Sequence, residues 1–439
     1  MKIDIIHPAH YNDNGELIQA RKWYEKLGVY IPHLGPALLA ALTPQKHEVR
    51  LIDEYLENVD YETDADVIAI SAQIMQYQRA IDLSSYFQRK GKITVIGGYL
   101  ASLVPDSVRP HFDCVVSGEA DQIWPELLRD IENKRAKKMY VSKSPVDISN
   151  LPTPRYDLIV KDRNVVYPVQ ATRGCPFVCK YCSIASVYKG NYRKRPIEHV
   201  VRDIEATKSK NINFCDDNLC EDMEYSERLF DALKGASISW GTQTTINVAN
   251  KPALLKKARL SGCRLMALGV ETIVPANLDD VQKSFQKIDK YALAFQRLVD
   301  AGISPHALII FGLPRDNNEI FKRTLDYLER LKIPVAQFFL FMPYPGTAAG
   351  DAMVKENKII DFNLSRYREP YVIHRPENMG AEELRQGWWN TLEEFYSIKS
   401  IFKRVVFNRQ ATNVAINLAT NLYYRFQIGR GIHPVYFGM

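Results

Sequence analysis

The chain has 439 residues, 46% hydrophobic and 25% charged, a balance that excludes a disordered or fibrous protein and allows about two to four domains. Its net charge of +6 is too slight over this length to argue by itself for a nucleic-acid partner. No run of about 18 apolar residues occurs, so no membrane-spanning helix is predicted.

Residues 1–140 alternate strand and helix signals. Residues 2–6, 48–52, 66–71, 92–96 and 113–116 are short apolar runs of strand length. Helical spacing covers residues 35–42, opened by Pro36, and residues 76–89 and 121–132. Such alternation predicts an α/β fold with a Rossmann-like, doubly wound parallel sheet. Ligands of these sheets bind past the carboxyl ends of the strands. Small residues gather there: Ser71-Ala72, Gly97-Gly98 before Tyr99, and Ser117-Gly118 before Glu119. They admit a ligand close to backbone and equally serve tight turns; spacing alone does not separate the two. No GxGxxG motif is present, so a nicotinamide-dinucleotide reading is weak.

Residues 141–164 carry three prolines and little periodicity, and are expected to be a semi-rigid linker. Alternation then resumes over residues 165–350. Strands are predicted at 165–171, 211–215, 238–245, 265–270, 307–311 and 335–341. Helices are predicted at 196–207, 225–233, 252–260, 289–301 and 317–331. Six βα repeats predict a partial (β/α)6 barrel of the TIM type, with its chemistry at the carboxyl ends of the strands.

The first of these strands runs into Arg173-Gly174-Cys175-Pro176-Phe177-Val178-Cys179-Lys180-Tyr181-Cys182, a CxxxCxxC array. Thiolates suit iron–sulfur clusters, zinc or cuprous copper. Closely spaced cysteine runs commonly hold iron–sulfur clusters. Three thiolates on a four-iron cluster leave one iron open to another ligand. Zinc would need a fourth ligand, and His199, Cys215 and Cys220 lack finger-like spacing. A disulfide would leave one cysteine over. Seven cysteines without a paired pattern, and an opening Met1-Lys-Ile-Asp-Ile-Ile without a signal-peptide core, lead to the expectation of a reducing cytoplasm.

The other strand ends carry Cys215-Asp216-Asp217-Asn218, Gln243, Gly269-Val270-Glu271-Thr272, Gly312-Leu313-Pro314 and Pro343-Tyr344-Pro345-Gly346-Thr347. Acids and amides there can bind an amine or ribose hydroxyls. Asp216 and Asp217 read alternatively as a helix N-cap and a first-turn acid. Glu271, in a barrel mouth, needs a partner if buried, and a ligand amine or hydroxyl would be one. Lys189, Arg193, Lys194 and Arg195 are expected to form a solvated basic face. Residues 351–439 crowd aromatics into helical stretches at 381–407 and 412–425, expected as a small helical cap on the barrel. A sharper reading has this surface close over an apolar or lipid-like substrate. Lys399, Lys403, Arg404 and Arg409 beside aromatics admit peripheral membrane contact.

The cysteine array, with Tyr181 before the last cysteine, resembles the motif of the radical S-adenosylmethionine (SAM) enzymes. Ile31-Pro-His-Leu-Gly-Pro-Ala-Leu-Leu-Ala-Ala-Leu, Val49-Arg-Leu-Ile-Asp, Ile96-Gly-Gly-Tyr and Ser117-Gly-Glu look like the cobalamin-binding domain that precedes many of them. Asp-Asp-Asn, Gly-Val-Glu-Thr, Phe-Gly-Leu-Pro and Pro-Tyr-Pro-Gly-Thr at successive strand ends look like the cobalamin-dependent branch. The resemblance implies a 4Fe-4S cluster on Cys175, Cys179 and Cys182, whose open iron binds SAM. Reductive cleavage of SAM would follow, to methionine and a 5′-deoxyadenosyl radical. It implies SAM contacts at Tyr181, Asp216, Gln243, Glu271, Gly312 and Pro314. Cobalamin contacts are implied at Ser71, Gly97, Gly98, Tyr99, Ser117, Gly118 and Glu119. The DxHxxG motif that supplies a cobalt-ligating histidine is missing, so His7, His10 and His33 are loose candidates for that ligand.

The expected domains are 1–140 for cobalamin, 141–164 as linker, 165–350 as the radical SAM barrel and 351–439 as the helical cap. The expected activity is methylation of an unactivated carbon in a small-molecule or lipid-like intermediate. It would use an electron donor such as flavodoxin or ferredoxin, and no nucleic acid. Rival readings are ring formation or rearrangement with the same cofactors, a first domain without cobalamin, and a non-catalytic zinc or nucleic-acid module. No acid or base can be named; Tyr188, Tyr192 and Tyr344 read first as core or loop tyrosines and otherwise as radical quenchers or substrate contacts.

Overall fold

Two parallel six-stranded sheets organise the chain. The structure, a computed structural model, describes residues 1–18, 29–161, 164–406 and 413–434. The first sheet contains β1 (Lys2–His7), β2 (Glu48–Asp53), β3 (Val67–Ser71), β4 (Ile93–Gly97), β5 (Cys114–Ser117) and β6 (Met139–Val141). They lie in the order β2-β1-β3-β4-β5-β6. Ile3, Ile5 and Ile6 of β1 and Val67, Ile68 and Ile70 of β3 are all buried. Such continuous apolar strands need helices on both faces. The winding reverses between β1 and β3, whose paired Ile6 and Ile70 place His7 and Ser71 side by side at the carboxyl edge. Doubly wound sheets bind ligands at this switch point. Sequence spacing does not predict β6, because three residues are too few to show an alternation; it pairs with β5 from Val115 to Ser117.

The second sheet runs in strict chain order: β7 (Tyr167–Val169), β10 (Asn211–Phe214), β11 (Ser239–Thr244), β12 (Cys263–Glu271), β13 (Ser304–Phe311) and β14 (Val335–Leu340). Helices follow each strand, as a partial barrel requires. Between β7 and β10, β8 (Thr172–Arg173) and β9 (Arg193–Lys194) form a short antiparallel ribbon that brackets the cysteines. The strand predicted at 165–171 is shorter than expected. The backbone N–H groups of Ala171 and Thr172 bond to the carboxylate of Asp216 instead of a neighbouring strand.

An open barrel leaves β14 as an edge, with unpaired backbone groups. The carboxy-terminal region satisfies them. Trp388 Nε1 donates to Phe338 O (2.8 Å) and His433 Nε2 to the same carbonyl (3.0 Å). The Tyr396 hydroxyl bonds Ala336, and Leu340 N–H donates to Glu369 Oε1 (3.3 Å). The helix predicted at 381–407 is broken. It runs from Ala381 to Phe395, restarts at Ile398 under a Ser397 cap, and turns π-helical over Phe402–Val406; Phe407 lies outside the described residues. The last helix is Val414–Ile428.

Candidate active site at the mouth of the open barrel

The cysteine loop leaves the barrel where the strand-end rule puts it. Gly174 opens it with φ +83°, and a Cβ there would fall 2.0 Å from Asn191 O, so glycine is required. Cys182 is the N-cap residue of helix Ser183–Tyr188 without a side-chain cap hydrogen bond, and the nearby N–H groups of Ile184 and Ala185 oppose the rise that burial gives its thiol. Asn218 Nδ2 points at Cys175 Sγ from 3.9 Å. The outer side of the loop is clamped. Lys180 N–H donates to Val281 O (3.1 Å), Ala349 N–H donates to Lys180 O (2.9 Å), and Phe177 stacks on Phe285 with ring centroids 3.6 Å apart.

Burial pushes the Cys179 thiol up to about 12 and that of Cys182 up to about 11, and raises that of Cys175. Without a metal these are neutral thiols, and a metal would displace their protons. Among the described residues, no three His, Cys, Asp or Glu side chains converge closely enough to hold a single metal ion. Cys215 turns its sulfur to Val169 O (3.4 Å), while Cys220 and Cys263 are buried in the barrel core. The donor set is therefore three thiols from one loop, with the Asn218 amide aimed at the sulfur of Cys175. That fits an iron–sulfur cluster, whose potential such hydrogen bonds tune, better than a four-ligand zinc site.

Asp216 and Asp217 are not helix caps, and both bond the start of the cysteine loop. The cap of helix Met223–Ala232 is Asp222, which accepts from Tyr225 N–H. Asp216 is fully buried; it accepts from the N–H groups of Ala171 (3.1 Å) and Thr172 and from the Thr172 hydroxyl (2.6 Å). Burial pushes its carboxyl up to about 7 against the pull of these donors. Asp217 accepts from Gly174 N–H (2.8 Å), and burial raises it to about 6. Asn218 completes the set, holding Thr244 Oγ1 (3.0 Å) through its oxygen. The Asp-Asp-Asn run thus fixes the start of the cysteine loop to β10, and the carboxylate of Asp216, expected as a SAM contact, accepts these three donors.

Glu271 ends β12 at φ +65°, a conformation rare outside glycine. Its partner is within the chain: Lys283 pairs with its carboxylate and donates to Gly269 O (3.1 Å). A Cβ on Gly269 would sit 2.6 Å from Glu271 Oε1 and 2.8 Å from Lys283 Nζ, so glycine makes room for this pair. Gln286 Nε2 also donates to Gly269 O (2.8 Å). Residues 281–286 therefore form a wall against both Glu271 and the cysteine loop. Sequence reasoning misses them, since no motif marks Lys283 or Phe285 and only the fold brings them back. Lys283→Ala strands a buried carboxylate. It is expected to cost about 3 kcal/mol, seen as a lower unfolding temperature; an unchanged transition would show the pair to be dispensable.

Gly312 (φ +91°) is a glycine for packing, because a Cβ would meet Leu384 Cδ2 at 2.6 Å. Its N–H donates to Asp316 Oδ2 (2.9 Å), and Asn378 Nδ2 donates to Pro314 O (2.9 Å). Gln243 is half-buried on β11. The basic cluster divides: Lys189 and Lys194 are exposed, while Arg193 and Arg195 turn inward. Arg195 pairs with Asp203 (2.7 Å), both buried. Arg193 and Arg173 both grip Glu119 (2.8 Å each), and Arg173 also takes Asp121 (2.9 Å). Glu119 thus ties the first sheet to the ribbon beside the cysteines.

Two cavities flank the loop. Cavity one, about 310 Å³, lies at the switch point of the first sheet and is lined by His7, Ser71, Gly97, Gly98, Tyr99, Gly118 and Glu119 among others. Val187 and Tyr188, just past Cys182, close its barrel side. Cavity two, about 320 Å³, lies over the barrel and is lined by Tyr181, Glu271, Leu308, Ile310, Phe341 and Tyr344, with Tyr30 and Tyr55 opposite. His33 and Gln73 line both. Gln73 Nε2 donates to His33 Nε2 (3.3 Å), and the His33 and His7 rings lie 4.1 Å apart. His7 Nδ1 donates to Ser71 O (2.9 Å), and His10 Nδ1 bonds the Tyr55 hydroxyl (2.6 Å) in cavity two. Burial lowers His7 to about 4 and His10 and His33 well below the ordinary histidine range, so all three are neutral. Tyr192, by contrast, donates to Leu219 O (3.3 Å).

The small residues of cavity one divide by cause. Gly98 and Gly118 have φ +87° and +84°, and a Cβ would meet Ala72 O at 2.7 Å and Ser142 Cβ at 2.9 Å. Turn geometry requires them. Ser117 holds β6 through its carbonyl (2.9 Å to Ser142 N). Gly97 alone among these glycines has ordinary backbone and nothing within 4 Å of an added Cβ, a cradle that a ligand can use.

Residues 169–328 match the model of the Radical SAM superfamily. The bacteriochlorophyllide d C-8(2)-methyltransferase of Chlorobaculum tepidum is 26% identical over 413 residues, covering 90% of this chain and 91% of that one. The hopanoid C-2 methylase of Rhodopseudomonas palustris is 23% identical over 92% of this chain and 79% of its own. The radical SAM methyltransferase TsrM from Kitasatospora setae, solved with cobalamin and a [4Fe-4S] cluster bound, superimposes with a TM-score of 0.66 at 13% identity, covering 98% of each chain. Residues 169–328 of this chain are a radical SAM domain, preceded by a doubly wound sheet.

Proposed function

We propose that the chain is a cobalamin-dependent radical SAM enzyme that methylates an unactivated carbon of an apolar small-molecule or lipid-like substrate. The observation that carries this is the shared wall. Cavities one and two meet at His33 and Gln73; Tyr181 of the cysteine loop lines cavity two, and Arg173, Val187 and Tyr188, on either side of that loop, line cavity one. Cys175, Cys179 and Cys182 would hold the 4Fe-4S cluster, and Tyr181 and Glu271 would face SAM in cavity two. Gln243, Gly312 and Pro314 lie on β11 and in the loop after β13, where SAM contacts through backbone remain part of this reading. Ser71, Gly97 and Tyr99, with His7 and His33, would receive a corrinoid in cavity one. When bound, cluster and SAM supply hydrogen abstraction and the corrinoid supplies a methyl group.

The chain's own residues position and shield. Asp216 and Asp217 hold the loop start, Phe285 covers its outer face, and Leu308, Ile310, Phe339 and Phe341 keep the barrel side of cavity two apolar. The aromatic lining suits a flat or fused-ring substrate, which agrees with the bacteriochlorophyllide and hopanoid activities named for the relatives. A one-electron donor such as flavodoxin or ferredoxin would complete the system.

Gly97→Leu tests the corrinoid half. The side chain has room and ordinary backbone, so the variant is expected to fold, reconstitute its cluster and cleave SAM. It should retain about tenfold less corrinoid, or worse, after anaerobic reconstitution. Wild-type corrinoid content in this variant would remove cobalamin from cavity one. Products that gain one methyl group distinguish methyl transfer from ring closure.

A further inference from the structure

Helix Val414–Ile428 is inside out. Three of the four buried residues on its barrel-facing side are polar, Asn417, Asn421 and Gln427, beside Ile428. Asn417 Oδ1 accepts from Ser304 Oγ (2.6 Å), and Asn421 bonds Pro334 O (2.9 Å) and Arg404 Nη2 (3.1 Å). Its outward side is apolar: Ile416, Leu422 and Phe426 are 49%, 43% and 51% exposed. A surface helix ordinarily shows the reverse arrangement. The Arg404–Asn421 bond joins it to the π-helical turn, where Phe402 is also exposed. The sequence around this helix is basic; Arg409 lies outside the described residues. Residues 396–439 contain no Asp or Glu but six cations, Lys399, Lys403, Arg404, Arg409, Arg425 and Arg430. Arg404 is buried and Lys403 pairs with Glu329 (2.8 Å), while Lys399, Arg425 and Arg430 are exposed.

We propose that this face docks the protein on an anionic lipid bilayer. Apolar side chains at the acyl boundary with cations at the head groups are how interfacial helices bind such membranes. A purely apolar protein partner would have no use for the one-sided charge. The face also leads inward. Beyond Phe426, Arg430 and Ile432 line a third cavity of about 330 Å³ with Trp388 and Trp389. That cavity shares Arg368, Glu369 and His433 with cavity two. Docking would set this opening against the bilayer, a route for a lipid-soluble substrate. The route rests on the function proposed above; the docking does not.

The test is co-sedimentation of the full chain with vesicles of phosphatidylcholine, alone or mixed with phosphatidylglycerol. Binding to the mixed vesicles is expected, several-fold weaker on phosphatidylcholine alone and weakened by salt. The double variant Leu422→Asp/Phe426→Asp should bind the mixed vesicles about tenfold less or worse. Its SAM cleavage should be unchanged and its unfolding temperature close to that of the wild type, because both side chains are about half exposed and line neither cavity one nor cavity two. No binding to mixed vesicles, equal binding to neutral ones, or binding indifferent to the double variant each overturns the proposal. So does a dimer, seen by light scattering, that the double variant dissolves without any vesicle binding. Loss of SAM cleavage in the wild-type protein would overturn the enzymatic reading and leave this one standing.

Discussion

Cys175→Ala, Cys179→Ala and Cys182→Ala are each expected to emerge from anaerobic reconstitution with little iron and to form no 5′-deoxyadenosine from SAM. Cys215→Ala, Cys220→Ala and Cys263→Ala are expected to keep wild-type iron. The two sets differ in surroundings. The first three sulfurs share one loop, with the Asn218 amide pointing at Cys175, and are near enough to raise one another's pKa. The second three are spent on packing: Cys215 on Val169 O, Cys220 and Cys263 within the core. Cys263→Ala leaves a small void worth about 1–2 kcal/mol, which lowers stability without touching the loop. Iron and sulfide assay with deoxyadenosine measurement across the six variants decides the matter; an intact cluster after loss of any of the first three would sink the assignment.

Asp216→Ala is expected to destabilise the protein by about 5 kcal/mol, because three buried donors lose their acceptor at roughly 1–3 kcal/mol each. Those donors are Ala171 N–H, Thr172 N–H and the Thr172 hydroxyl. A loss of that size rivals the whole stability of many domains. Denaturant unfolding should show it, with reduced iron incorporation because the loop start is released. Asp216→Asn keeps one acceptor and should fall between the two. If Asp216→Ala unfolds like the wild type but loses SAM binding, the carboxylate faces SAM and the positioning role fails.

Much of the architecture was legible because its signals are local. Apolar runs of four to six residues between helical stretches mark both parallel sheets, and the strand-end rule places the cysteines at the mouth of the second. The misses share a cause. β6 is short, β7 is cut back by a carboxylate 45 residues away, and the helix predicted at 381–407 breaks where Ser397 caps a new turn beside Tyr396, whose hydroxyl bonds the edge of β14. The aromatics of the last region mostly serve that edge. None of these has a local sequence signature.

The sequence by itself determined the metal-binding chemistry, since three thiols at CxxxCxxC spacing and a preceding strand need no distant partner to be recognised. Only the tertiary structure decided what surrounds them. It gave Glu271 its partner in Lys283, turned Asp216 toward the loop rather than a ligand, and spent Glu119 on Arg173 and Arg193. It also set His33 and Gln73 as the common wall of two cavities. Buried charges take whichever opposite charge or donor the fold delivers, and that partner can lie anywhere in the chain.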